Sequence, residues 1–198
     1  KGIVERWGYR VEQHDVTISD GYILDLFRLP AGRNDSSRAS NDTRIRPTIL
    51  FVHGLQANSL QYVLNLPNQS AGISKPNVFL ANTRGKKFGK RHVQLNSAQN
   101  EFSVIIGSSR FSFRIDEMAN FDVPATIDKV LELNGNEHYI VCCVHGTVLG
   151  FTALADNPEY NGKVKKMFAL TPVGSAHYLK GLFRFLLFLH DSFRPITH

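Results

Sequence analysis

The sequence predicts an α/β fold: a mostly parallel sheet with flanking helices, entered through an N-terminal antiparallel hairpin. Three observations predict it. First, short continuous apolar runs recur at Thr48–Val52, 77–81, 138–144 and 164–170, as strands buried on both faces of a parallel sheet require. Second, helical patterns separate them, over 116–133 and 146–155; strands alternating with helices read as parallel crossovers. Third, residues 11–19 alternate, Asp20-Gly21 is a turn signal, and Tyr22–Leu29 returns as a second strand.

The elements follow in order. Residues 30–46 are rich in Ser, Asn, Asp and Arg and form a loop. Thr48–Val52 is the first buried strand and ends in His53-Gly54-Leu55. A helix is expected over 60–66 and a strand over 77–81. Residues 84–92 carry Arg84, Lys86, Lys87, Lys90 and Arg91; an anion-binding patch is one reading, and a solvated loop is the favoured one. In the helical stretch 116–133, Pro124 is expected to open a second helix, because proline suits a first turn and not an interior. Asn134-Gly135-Asn136 stops it. Strand 138–144, helix 146–155 and strand 164–170 complete the pattern. Residues 178–190 are apolar apart from Lys180 and Arg184; they read equally as a lid element on a lipid surface or as a buried helix.

The chain has 198 residues, which suits one domain with a real core. Hydrophobic residues are 42% and charged residues 20%, a balance that excludes a disordered chain. The net charge is +6, but no nucleic-acid recognition signature accompanies it, so nucleic acid is not an expected partner. No apolar run approaches the length of a membrane span. The two cysteines, Cys142 and Cys143, are adjacent, which gives no disulfide framework. The chain starts at Lys1 without an apolar leader; either a signal peptide was removed or the sequence is a fragment. Asn34, Asn41 and Asn68 each open an N-x-S/T triplet. They are glycan acceptors if the protein is secreted, and chance matches otherwise.

Residues 141–147 read Val-Cys-Cys-Val-His-Gly-Thr. The setting is that of G-x-S-x-G, a strand-to-helix turn that presents a nucleophilic serine. Val144 occupies the serine slot and Cys142 the first glycine slot. Valine has no lone pair, and a β-branched residue resists the positive φ of such a turn. No intact catalytic group is therefore expected. A thiol of Cys142 or Cys143 with His145 could do acyl transfer, but residues two or three apart around a turn do not face each other. The favoured reading is two small buried hydrophobes. The histidines have no zinc spacing, so neither metal nor cofactor is expected. Asp116, Glu117, Asp122 and Asp128 read as helix-terminal and surface charges.

The order of motifs carries a resemblance. Trp7-Gly8-Tyr9, Asp20-Gly21-Tyr22-Ile23-Leu24, His53-Gly54-Leu55, Asn65-Leu66-Pro67-Asn68, Asn82-Thr83-Arg84-Gly85, Asp116-Glu117-Met118-Ala119, Asp122-Val123-Pro124-Ala125-Thr126-Ile127-Asp128 and His138-Tyr139-Ile140 occur in sequence. Together they closely resemble the acid lipase family of α/β-hydrolases, from about residue 2 to 173, the N-terminal half of a family member. The resemblance implies a truncated α/β-hydrolase fold: a partial lipase domain over 1–176 and the apolar start of a cap over 177–198. It also implies hydrolysis of triacylglycerols or steryl esters in a secretory or lysosomal setting, by a serine, a histidine base and an orienting aspartate. The serine falls on Val144. The oxyanion-hole backbone donors fall on Leu55 and His145, and backbone donors survive side-chain substitution. The acid and base come later in the family than this chain extends. His53 is structural by the same resemblance.

The chain departs from the family by an insertion at 103–110 and by a shortening between Ser70 and Asn77. These departures read as a disturbed gene or as evolved loss of catalysis. The expectation is an ester hydrolase by descent that is inert in this form. The alternative is a lipid- or partner-binding pseudoenzyme. The strand over 164–170 is expected as an unpaired edge, with marginal stability as the consequence.

Overall fold

The computed structural model describes residues 2–31, 48–54, 57–73, 77–85, 88–89, 91–94, 115–134, 138–142, 144–170 and 172, with 138–142, 144 and 145 described by backbone alone. The polar loop beyond residue 31, the 103–110 insertion and the 178–190 segment lie outside them.

A short helix α1 (Gly2–Arg6) precedes the hairpin β1 (Glu12–Thr17) and β2 (Tyr22–Leu29). The strands pair antiparallel from Glu12↔Arg28 to Thr17↔Ile23. Gly21 closes the turn at φ 94°, a conformation L side chains rarely adopt. A Cβ there would also meet the His92 ring at 2.6 Å. The remaining strands are β3 (Thr48–Val52), β4 (Val78–Ala81), β5 (Arg91–His92), β6 (His138–Cys142) and β7 (Val164–Ala169). The sheet order is β1-β2-β4-β3-β6-β7, with β5 paired to β2. β4, β3, β6 and β7 are mutually parallel, and β2 joins β4 antiparallel. The expected parallel sheet entered through a hairpin is therefore the fold.

Side-chain alternation explains the continuous apolar runs. Leu50, Val52, Phe79 and Ala81 point to one face, where they pack with Met118, Ile127, Val130 and Leu149. Phe51, Val78 and Leu80 point to the other, with Tyr62, Val63 and Ile73. A strand covered on both faces has no polar side to mark it.

The helices differ from expectation in instructive ways. Residues 60–66 do not form a helix; there is one 3-10 turn, Ser59–Tyr62. The Gly72 N–H donates back to the Tyr62 carbonyl at 3.0 Å, and Ser70 Oγ donates to the Asn65 carbonyl at 2.7 Å, so the chain folds onto itself. Pro67 also disfavours helical geometry at Leu66. Pro124 does not open a separate helix. A turn Ile115–Glu117 and a π segment Met118–Asp122 run straight into α2 (Val123–Asn134). The Val123 N–H donates to the Met118 carbonyl, five residues back, just before the proline that has no N–H to donate. α3 spans Val144–Asp156, so the strand ends and the helix begins about two residues before the expected positions. Val144 belongs to the helix start.

Candidate functional site

In open α/β sheets, ligand crevices lie beyond the carboxyl ends of strands, where the chain reverses its direction of sheet growth. Here β3 is that strand: its chain neighbour β4 lies on one side and β6 on the other. Three segments converge at this end. They are His53-Gly54 after β3, Asn82-Thr83-Arg84 after β4, and the turn from β6 into α3 at Val144.

His53 is almost wholly buried. Its Nδ1 lies 2.9 Å from the Gly54 carbonyl oxygen, which can only accept. Its Nε2 accepts the Thr83 N–H at 3.2 Å, with Thr83 Oγ1 at 3.3 Å. This pattern assigns a neutral ring with the proton on Nδ1. Both ring nitrogens are used to bind the end of β3 to the end of β4.

Asn82 holds the next stretch. Its Oδ1 accepts the Ser59 N–H at 3.0 Å, and its Nδ2 donates to the Asp25 carbonyl at 2.9 Å. Asn58 Oδ1 caps the same turn by accepting the Leu60 N–H at 3.0 Å. The Tyr62 hydroxyl donates to the Val52 carbonyl at 2.7 Å. The loop after His53-Gly54 is thus anchored at its far end to β2, β3 and β4.

Below this lies a buried ion cluster. Arg84 Nε donates to Asp122 Oδ1 at 2.8 Å, the Arg84 N–H donates to Oδ2 at 2.8 Å, and Arg84 Nη1 donates to Asp20 Oδ2 at 2.6 Å. The Tyr22 ring stacks on the guanidinium at 4.6 Å. Burial pushes the Asp122 carboxyl up to about 6, against the pull of Arg84. Burial works to lower Arg84, but its hydrogen bonds to Asp122 and Asp20 outweigh it and hold the guanidinium above its ordinary value.

These contacts correct two sequence readings. Asp122 is not a surface charge; it is 1% exposed. Arg84 is not part of a solvated loop, and Arg91 is ion-paired to Asp15 and Asp25. Lys86, Lys87 and Lys90 lie outside the described residues. Sequence reasoning named Asn82 only within a motif and gave it no role, since an asparagine after a strand carries no local signal of a partner 57 residues away.

The sequence-predicted site residues fall as follows. Val144 and His145 are the first two residues of α3. Leu55, Asn34 and Asn41 lie outside the described residues. Asn68 is exposed, and its triplet partner Ser70 is buried. Among the described residues no group of three or more His, Cys, Asp or Glu is placed to hold a metal, and no helix is long and apolar enough to cross a membrane.

Comparison with known proteins agrees with this fold. Residues 1–66 match a family described as a partial alpha/beta-hydrolase lipase region. The chain is 37% identical over 181 residues to human lipase member K, covering 89% of this chain and 42% of that protein. It is 33% identical over 201 residues to bovine gastric triacylglycerol lipase, covering 98% and 47%. It therefore spans less than half the length of these relatives. Among solved structures, a bacterial membrane phospholipase A aligns at TM-score 0.55 and 17% identity, over 93% of this chain and 47% of that one. An epoxide hydrolase from Vigna radiata aligns at TM-score 0.53 and 15% identity, over 92% and 47%. At these identities the structures speak for the fold alone.

Proposed function

The chain belongs to the acid lipase family of α/β-hydrolases, and from that premise we propose that it carries the oxyanion side of a lipid-ester hydrolase site without a nucleophile. One observation carries the reading: Val144 stands where β6 turns into α3, the slot that holds serine in the family motif. A valine cannot form an acyl intermediate. Loss of such a nucleophile costs on the order of 10⁶ in turnover, while an oxyanion hole and binding retain roughly 10³–10⁴ over water.

The oxyanion donors in this reading are the backbone N–H groups of Leu55 and His145. Two contacts support it. The His53 ring ties Gly54 to Thr83, which fixes the residue before Leu55. Gly146 packs on the carbonyls of Val52 and His53, which brings the start of α3 to the same strand end. The substrate class is a lipid ester, triacylglycerol or steryl ester, consistent with relatives named as lipases. The setting is secretory or lysosomal, with Asn34, Asn41 and Asn68 as glycan acceptors.

A second reading, a lipid- or partner-binding pseudoenzyme, is favoured by the intact hydrogen bonds around His53 and Asn82 despite Val144. Saturable binding of a fluorescent fatty acid by a monodisperse sample supports it, and aggregation without binding removes it.

The test of inertness is direct. The purified chain is assayed on a short-chain nitrophenyl ester beside a denatured control, and treated with a fluorophosphonate probe. The expected result is a rate equal to the control and no adduct. Hydrolysis blocked by a serine or thiol reagent overturns the proposal.

A further inference from the structure

Arg84 joins three parts of the fold. Asp20 comes from the β1–β2 turn, Arg84 from the turn after β4, and Asp122 from the π segment before α2. Among the described residues the charges do not balance. One guanidinium faces two carboxylates, in a cluster where the Arg84 side chain is 3% exposed and Asp122 1%. Asp20 is 33% exposed and keeps water. Asp122 has none, so the surplus negative charge is least tolerable there.

We propose that Asp20, Arg84 and Asp122 form an acid-tightened clasp, in which Asp122 takes up a proton on mild acidification and the balanced Arg84–Asp20 pair then holds the hairpin, the β4 turn and the π segment more firmly. Protonation does not dismantle the cluster. The guanidinium keeps Asp20 at 2.6 Å and the Tyr22 ring at 4.6 Å. The neutral Asp122 carboxyl still accepts the Arg84 N–H groups.

Among the described residues, the charged groups acting on Asp122 are Arg84 and Asp20. Burial raises the adjacent Tyr22 phenol most; Arg84 works to lower it, and Asp20, Glu117 and Asp122 each raise it. Glu117 thus adds negative charge beside the cluster. Burial raises Asp122 above the ordinary carboxylate range, to about 6. A carboxyl raised on folding stabilises the fold below its unfolded pKa and loses that contribution as pH rises through its folded value. The window therefore runs from near pH 4 up through about pH 6.

The experiment measures urea unfolding of the full chain at about pH 5 and about pH 7.5, for the parent, Asp122→Asn and Asp20→Asn. For the parent, the contribution of this one group raises the folding equilibrium constant about tenfold at the lower pH. Asp122→Asn removes that tenfold gain. Asp20→Asn leaves a one-to-one buried pair and moves the step to lower pH. Full retention of the pH dependence in Asp122→Asn overturns the proposal, as does a parent that weakens at the lower pH through this residue. Should Asp122→Asn fail to fold, a carbon-13 carboxyl titration of the parent decides. A midpoint near 6 supports the clasp, and one below 4 overturns it.

Discussion

A Cβ placed on Gly146 would stand 2.5 Å from the carbonyl oxygen of Val52 and 2.9 Å from that of His53. The first turn of α3 thus rests directly on the end of β3. Glycine near a helix start is ordinarily a small cost, so its presence here answers a packing need. The prediction is that Gly146→Ala destabilises the fold by about 1–3 kcal/mol through overpacking against backbone that cannot move aside. Urea unfolding measures this, and an unchanged midpoint would show that the helix start does not rest there.

His53→Ala should cost about 2–4 kcal/mol. It strips a buried ring from a closed site and leaves the Thr83 N–H and the Gly54 carbonyl without their partner. The same variant should speed amide hydrogen exchange at Thr83, because that N–H now bonds His53 Nε2. Exchange at Thr83 as slow as in the parent would refute the assigned tautomer.

Arg84→Met alone should cost about 3–5 kcal/mol, since it strands a carboxylate that is 1% exposed. Asp122→Leu in the same background should recover much of the loss, because an apolar pair replaces a buried ionic one. A double-mutant cycle measures the coupling. Additive losses would mean that the two side chains do not depend on each other.

How much of this was legible in the sequence depends on how local each signal is. The parallel strands announced themselves because β3 and β4 are apolar on both faces. The hairpin did so through Asp20-Gly21, whose glycine does take a positive φ. β5 could not: Arg91–His92 is two residues long, too short for any period, and it is held by Arg91 to Asp15 and Asp25 across 76 and 66 residues. The missing helix at 60–66 was lost to contacts with Ser70 and Gly72, which override a weak propensity. At the site, the strand end and helix start on either side of residue 143 were readable because a strand–helix pattern is contiguous in sequence. Asp122 was misread because its partner lies 38 residues away and nothing in Phe-Asp-Val-Pro marks it as buried.

β7 is the last strand of the described sheet, with β6 as its partner in the strand order. One end of it is apolar on both sides. Met167 packs on the core, while Phe168 is 47% exposed and Leu170, just beyond, is 46% exposed. β1, at the opposite edge, carries Glu12, His14 and Asp15, the charged blunting that natural edges use. β7 has Lys165 and Lys166 only in its first half. The exposed apolar side chain of Phe168, rather than the charged face of β1, is therefore the expected point of self-association. Phe168→Lys extends the basic stretch along β7, and because the side chain is half exposed the change should alter stability by no more than about 1 kcal/mol. It should lower self-association markedly, read as loss of concentration-dependent light scattering. A matching Thr17→Lys on β1 should leave scattering where it was. Equal scattering from the parent and Phe168→Lys would show that association runs through another surface.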